Sequence, residues 1–342
     1  MEIAALDLAD DRTVAACHAV GEEAARADDP VAPPTSARVF RFSLSSGWSG
    51  GSFEVWYVPG GDGTVAGWYR VEFPDLENLD RALVHLVVHP ARRRAGVGTA
   101  LLRHAAGRAA AAGRTVISAV IQEGTPGKEF ALRIGATLGI VDVRRVQDLA
   151  RIPPGTIARL HVTAAGAASG YSLVRWTCVT PEERIDQVAA LHEALNDSPR
   201  DPSVEPTAWT PERVRGRMNA RIARSPMRRY SLAALHDDTG EMAALTVVTV
   251  DPDVPDWGHQ QITAVTRQHR GHRLGLLVKT AMLGWLAETE PRLEHIETWN
   301  AGSNQHMIAI NESLGYTVSG RFRSAELRVA SFSGTALRGA ID

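Results

Sequence analysis

The sequence predicts a mixed α/β fold built as two similar domains, each a β-sheet flanked by helices. Three observations carry this. The chain has 342 residues, and domains usually run to about 100–200 residues, so two cores are expected. A strand–turn–helix unit occurs twice, in LVVHPARRRAGVGTALL (86–102) and again from Ile262 to Trp285, with Arg93 and Arg270 177 positions apart. A repeat that long marks paired domains, since solenoid periods are much shorter. The first half also reads β-α-β-β-β-α-β-α-β, an order that suits a mixed sheet with helices on both faces.

The elements follow from periodicity and punctuation. Residues 3–8 read as a strand. Asp10 or Asp11 caps a helix to about Ala27, with Val14, Cys17, Val20 and Ala24 at helical spacing. The proline-rich stretch 28–37 and the segment SSGWSGGS are loops. Residues 53–58 and 64–72 flank PGGDG as a hairpin. A strand over 82–89 feeds the first basic turn. The alanine-rich helix after Gly98 ends near Ala112, where Gly113 stops it. TVISAVI (115–121) is a buried strand, 127–134 a short helix with Phe130 and Ile134, and 139–149 a closing strand.

Residues 151–170 contain PPG and AAGAASG and are expected to link domains at 1–150 and 171–332, with a tail at 333–342. YSLVRWTCV (171–179) alternates as a strand, and Pro181-Glu182-Glu183 opens a helix to about Leu195. The loop 196–212 is polar and proline-rich and carries Trp209. Such a loop is either a substrate wall, with Asn196, Asp197 and Trp209 as its candidates, or plain surface. A helix over 211–224 and a hairpin of 229–236 and 242–250 follow. The loop DPDVPDWGH then leads to the strand Ile262–Thr266. After the turn Arg267–Gly275, Leu274, Val278, Met282 and Trp285 mark a helix. The strand Ile296–Trp299 ends at Asn300, and a last helix carries Met307, Ile310 and Leu314 on one face before Gly315-Tyr316.

Composition narrows the function. Net charge is −2, so no broad nucleic-acid surface is implied. Of the 37 basic residues only Lys128 and Lys279 are lysines. That arginine bias, with abundant Ala and Gly, points to a GC-rich bacterial genome. Cys17 and Cys178 sit in hydrophobic runs of different halves, as buried free thiols would in a reducing cytoplasm. No apolar run approaches a membrane span and the N-terminus lacks a basic leader, so a cytoplasmic protein without a membrane partner is expected. No metal-ligand pattern stands out.

The second turn has the chemistry of an anion site. A helix N-terminus offers unpaired N–H groups, glycines allow close approach, and Arg267, Arg270 and Arg273 add charge. A basic surface turn would read the same way. The first copy matches L-x-V-x-P-x-x-[QR]-x-x-G-x-[GA] through Leu86, Val88, Pro90, Arg93, Gly96 and Gly98. On these residues the chain resembles the GNAT (GCN5-related) N-acetyltransferases. More narrowly it is similar to the tandem acetyltransferases of actinomycetes, a group that includes mycothiol synthase. The second copy keeps Val265, Arg270 and Gly275 but has Arg267 for the proline and Arg273 for the first glycine.

The resemblance implies two tandem GNAT-fold domains, each with a mixed, mostly antiparallel sheet, and acetyl-CoA as donor. It implies a first half that binds CoA or serves as a structural partner, and a second half that acetylates a primary amine of a small molecule. Carried over for coenzyme A are Val265, Arg270, Gly271, His272, Arg273, Leu274, Gly275, Leu276, Asn300, Asn304 and Met307. In the first copy they are Val88, Arg93, Arg94, Gly96, Val97, Gly98 and Thr99. Tyr316 is the implied acid, projecting into a cleft, and the Val265 N–H the oxyanion contact; a packing Tyr316 and a helix-capping Asn304 are the plainer readings. Asn311 is expected to cap the C-terminal turn of that helix. The base is open among His259, Asp253, Asp256, Glu297 and a water relay. A monomer or weak homodimer is expected. A non-catalytic acyl-CoA-binding module and a protein lysine acetyltransferase remain rival readings.

Overall fold

The computed structural model describes residues 1–47 and 50–332; the expected tail at 333–342 lies outside them. The chain divides into two compact units. Unit 1 comprises Met1–Val141, Asp201–Glu205 and the segment from Gly320, and unit 2 comprises Asp142–Arg200 and Pro206–Ser319.

Unit 1 begins with β1 (Ala4–Ala5), α1 (Asp11–Asp28), α2 (Ala37–Ser43), β2 (Ser52–Pro59) and β3 (Val65–Phe73). It continues through β4 (Arg81–Val88), α3 (Val97–Ala111), β5 (Val116–Gln122) and α4 (Pro126–Arg133). Asp10 caps α1 by accepting from the N–H groups of Arg12 and Thr13. Val14, Cys17 and Val20 face Phe40, Leu44 and Trp68 on one side of the sheet. On the other side Leu101, Leu102 and Ala105 of α3 meet Tyr69, Val71 and Ile117. The expected strand at 3–8 shrinks to two residues. The helix α2, which the proline-rich surroundings hid, is capped by Ser36.

The strand β6 (Thr137–Asp148) leads into unit 2. There α5 (Thr156–Ala167), β7 (Tyr171–Thr177), α6 (Ile185–Glu193) and the helical stretch α7 (Pro211–Arg213) to α8 (Asn219–Arg224) follow. Then come β8 (Arg228–His236), β9 (Met242–Asp251), β10 (Val254–Val265), α9 (Leu274–Thr289), β11 (His295–Ala301), α10 (Gln305–Ser313) and β12 (Tyr316–Arg328). Leu274, Val278, Met282 and Leu286 pack with Ile296, Leu314 and Tyr316 on one face. Ile185, Val188 and Leu191 of α6 pack with Leu245, Val247 and Ile262 on the other.

Two segments differ from the sequence expectation. Residues 151–170, expected as a linker, contain α5, which buries Ala164 and joins His161 Nδ1 to Thr280 Oγ1 of α9 at 3.0 Å. Residues 251–259, expected as a loop, are mostly β10; Asp251 accepts the Asp253 N–H in the turn, and Pro255 falls at the strand's start, where a missing donor is tolerated. Cys17 is buried as expected, whereas Cys178 is exposed because it takes a positive φ of 62° just past β7.

The sheets share one plan. In unit 1, β4 runs parallel to β5 and the other neighbours are antiparallel; in unit 2, β10 runs parallel to β11 in the same way. The final strand of each unit comes from the far half of the sequence. Phe322–Arg328 of β12 pair with β5, and Asp142–Asp148 of β6 pair with β11. Among the described residues no helix is long and apolar enough to cross a membrane.

Candidate active site

Both basic turns adopt one backbone. After β4, a 3-10 turn (Pro90–Arg92) leads to Arg93, and Arg94 (φ 63°) and Gly96 (φ 80°) enter the left-handed region before α3. After β10, a 3-10 turn (Arg267–His269) leads to Arg270, with Gly271 (φ 93°) and Arg273 (φ 54°) at the matching places. Each turn therefore holds one glycine and one arginine at its two left-handed positions, in opposite order. Arg273 for glycine leaves the turn intact at a cost of about 1 kcal/mol. Neither helix N-terminus has a side-chain cap, so the first N–H groups of each are left to an anion. Arg94, His272 and Arg273 are exposed beside them, while Val97, Leu274 and Leu276 pack inward. Gly275 lets α9 approach β10 and α10: a methyl there would stand 3.3 Å from Ile310 and 3.7 Å from Val265.

The signature arginines are not free ligands. Arg93 makes a two-pronged pair with Asp28 at the end of α1, at 2.7 and 2.9 Å. Arg270 donates to Asp197 at 2.9 Å, and Arg267 donates to the same carboxylate at 2.7 Å. The hydrogen bonds from Arg267 and then Arg270 hold the Asp197 carboxyl below its usual range. Asp197, expected on a substrate wall, thus belongs to the turn. The sequence held a signal for the repeated partner, since Asp28-Asp29-Pro30 and Asp197-Ser198-Pro199 both follow the first helix of a half. Asn196 is committed to the loop itself, donating to Glu193 and Thr207 O and accepting from the Thr207 N–H.

Between the parallel strands lies a wedge. β10 and β11 pair only from Trp257–His295 to Gln260–Thr298, and then diverge. A register shift between Gln260 and Ile262 bulges β10 at the point of divergence. Thr266 donates to Ala243 O at 2.9 Å, so alternation turns the Val265 N–H away from β9 and toward the opening. In unit 1 His89 donates to Ala66 O at 3.0 Å, and Val88 is turned likewise. There β4 and β5 pair only over Arg81–Leu83 and Val116–Ser118.

Polar groups gather at the narrow end of the unit 2 wedge. On the α9 face, Lys279 is 2% exposed and donates to Gln260 Oε1 at 3.2 Å, with its ammonium 4.9 Å from the Tyr316 ring centre. Burial pushes the Lys279 amine down to about 7. Tyr316 does not project into a cleft: it is 4% exposed in the core, and burial pushes its hydroxyl upward, away from use as an acid. Arg145, also buried, sits opposite Thr298, and its Nε and Nη1 have no partner among the described residues.

Asn304 caps α10 through the Met307 N–H, as a capping residue would. Asn311 does not cap the C-terminal turn. It is fully buried and donates to Asn300 Oδ1 at 2.7 Å, tying α10 to β11.

On the opposite, α6 face, two of the base candidates meet. His259 Nδ1 lies 2.8 Å from Glu297 Oε1 across the parallel pair. An Nδ1–H donated to the carboxylate leaves Nε2 as a proton acceptor. Asp253 lies in the exposed turn before β10 and Asp256 near its start, both away from the opening. In unit 1 the parallel pair places Leu83 beside Ser118 on the α1 face, where unit 2 has the imidazole and carboxylate, and turns Ala82 and Ile117 to the α3 core. The first half does carry a buried carboxylate, Glu72, and an exposed imidazole, His85, around Arg70, which the sequence reading missed. Among the described residues no group of side chains could hold a metal ion.

Residues 25–135 match the family model for the "Acetyltransferase (GNAT) family". No curated protein matches the chain. Among solved structures, a tandem GNAT protein from the clavulanic acid biosynthesis pathway (solved without AcCoA) is 29% identical. Its TM-score is 0.81, over 96% of this chain and 98% of that one. A GCN5-related N-acetyltransferase from Sphaerobacter thermophilus is 16% identical with a TM-score of 0.69, over 96% and 95% of the two chains. A glucosamine N-acetyltransferase region of a fungal multi-domain β-N-acetylglucosaminidase is 12% identical with a TM-score of 0.66, over 95% of this chain and 38% of that one. Those two likenesses concern the fold alone. Residues 25–135 therefore resemble the acetyltransferase (GNAT) family, and the whole chain has the fold of a tandem GNAT protein.

Proposed function

We propose that unit 2 is an N-acetyltransferase that moves an acetyl group from acetyl-CoA to a primary amine of a small molecule. The observation that carries this is the conjunction of an uncapped helix N-terminus, a strand wedge with the Val265 N–H turned into it, and a His259–Glu297 pair at its narrow end. The donor set fits coenzyme A through backbone N–H groups of 271–275 and the exposed Arg273, rather than through Arg270, which Asp197 holds. Asn300, past the paired stretch of β11, and Met307 of α10 are the further cofactor contacts expected there. Acetyl-CoA, when bound, supplies the activated thioester.

The transfer forms one N–C bond and breaks one C–S bond; the ammonium loses two protons, one released through the base to solvent and one ending on the departing thiolate. A free ammonium has a pKa near about 10 and cannot attack. His259 Nε2 takes its proton, and Glu297 holds the ring in the required tautomer. The Val265 N–H stabilises negative charge on the carbonyl oxygen. Lys279, not Tyr316, is the group on the α9 face able to give a proton near neutral pH. Unit 1, with Leu83 and Ser118 in place of the histidine and glutamate, binds an acyl-CoA or serves as scaffold. The expected acceptor is a soluble metabolite in a cytoplasmic setting, and the protein a monomer or weak homodimer.

The test is acetyl-CoA titration together with turnover on an amine panel. His259→Gln should lower turnover by about 100-fold or more, within the range of a lost general base, and leave acetyl-CoA affinity unchanged. Arg273→Glu should weaken one binding event and abolish turnover, while Arg94→Glu touches only the other half. Full turnover in His259→Gln would remove the dyad from the mechanism. Turnover lost only with Arg94→Glu would move catalysis to unit 1.

A further inference from the structure

The α6 face of unit 2 holds a set of polar groups that the transfer chemistry leaves unused. Arg229 of β8 pairs across the sheet with Thr249 of β9, which pairs in turn with His259 of β10. Strand alternation puts the three side chains on one face, shared with Ala233 and Val247. The Arg229 Nε has no partner, and among the described residues no carboxylate pairs with its guanidinium. Two residues along β8, Ser231 is 1% exposed and its hydroxyl is unpartnered too. Trp176 stands opposite Ser231 on β7 with its indole N–H unpartnered. From above, His192 of α6 lies close enough to feel the charge of Arg229; it is 8% exposed, and its Nε2 has no partner. Burial and that charge push His192 down to about 4, so it is neutral at physiological pH. Trp209 lies tilted against His192 with ring centres 4.3 Å apart, so the 196–212 loop reaches this place.

Unpaired buried donors are costly to leave unmade, each at about 1–3 kcal/mol. A cluster of them around Arg229, with the Arg221 charge close enough to act on it, has the chemistry of a carboxylate seat. A bare cation with unsatisfied N–H neighbours welcomes an anion and repels a second ammonium.

We infer that this cluster binds the acyl acceptor through a carboxylate, so the acceptor is a small aminocarboxylic acid with its amine beside His259 and its carboxylate on Arg229, Trp176 and Ser231. Two inter-strand steps of about 4.8 Å separate β8 from β10, a span of about 10 Å between backbones. With side chains reaching inward from both ends, that span suits an amine and a carboxylate a few carbons apart. A long peptide or a polyamine fits less well, the first by size and the second by charge. The inference rests on unit 2 being the catalytic half.

The probes are ω-amino acids from glycine to 6-aminohexanoate, each beside the n-alkylamine of the same length. Binding is read by calorimetry on the full chain with acetyl-CoA absent, and turnover is read separately. At least one amino acid should bind about 10-fold or more tightly than its alkylamine. Arg229→Gln should erase that preference, a loss of about 10- to 100-fold as expected for a charge-assisted pair, with acetyl-CoA affinity unchanged. Arg229→Lys should retain part of it, and its thermal unfolding midpoint guards against a folding defect. Equal binding of amino acids and alkylamines, or a preference that survives Arg229→Gln, overturns the carboxylate seat even if amines turn over. Selective, Arg229-dependent binding without any acetylation keeps the seat and overturns the acetyltransferase reading.

Discussion

Lys279 is the residue whose environment departs most from its chemistry. A lysine 2% exposed, with a neutral amide as its hydrogen-bond partner and an aromatic ring beside it, pays for desolvation without a carboxylate in return. Its folded pKa, about 7, lies below the ordinary 10.5. Between those values the unfolded chain binds the extra proton, so this group lets stability rise as pH climbs from about 7 toward 10. Below pH 7 the penalty is present in full. Lys279→Met should therefore raise the unfolding midpoint, most clearly at pH 6, and the gain should vanish by pH 10. If Lys279 gives the proton to the leaving thiolate, the same variant loses turnover, a trade of activity for stability. Denaturation at both pH values, with turnover alongside, decides it. A variant less stable at pH 6 would show that the amine's contacts outweigh its burial. None of this was legible in the sequence. One lysine at an apolar helix position looks like any other surface-reaching lysine, and only the fold shows that Gln260 and Tyr316 close over it.

At the scale of elements, the strand–turn–helix unit was the most legible feature, because glycine, arginine and helical periodicity are local signals. What the turn does with its arginines was not. Asp197 neutralises Arg267 and Arg270 in unit 2, and Asp28 neutralises Arg93 in unit 1. Asp197→Asn removes the carboxylate and leaves two guanidinium groups at the mouth of the turn. Acetyl-CoA affinity should then rise by about 10-fold at low ionic strength, and the gain should shrink at 0.5 M salt, where the Debye length falls to about 4 Å. Unchanged or weaker binding would mean that Asp197 positions the arginines instead of competing with phosphate. The His259–Glu297 pair was half legible for a related reason. His259 and Glu297 were both candidates, but they lie 38 residues apart, and only the parallel register of β10 and β11 makes them neighbours. The Asp-Pro-rich run before His259 read as loop because local composition outweighed the strand pairing that β9 and β11 impose.

For the molecule as a whole, the repeat is visible in sequence but the boundary between halves is not a clean cut. Each half ends in a strand that completes the sheet of the other unit's residues: 322–328 beside β5, and 142–148 beside β11. The consequence is a test of folding. A fragment of residues 1–170 keeps α1 to α4 but loses the partner of β5. Leu327 and Val329 leave its core, and Arg81 loses Glu326, 2.9 Å away. A buried arginine left with Asp80 alone, at 3.3 Å, and an unpaired hydrophobic strand edge both favour aggregation. A fragment of residues 171–342 loses both the strand beside β11 and α5, whose Ala164 packs in the α9 core. Expressed alone, each fragment should lack a cooperative unfolding transition. Expressed together, they should recover one near that of the intact chain, since every lost contact is restored without the covalent link. A cooperative transition in either fragment alone would mean that the exchanged strands decorate two self-sufficient domains rather than complete them.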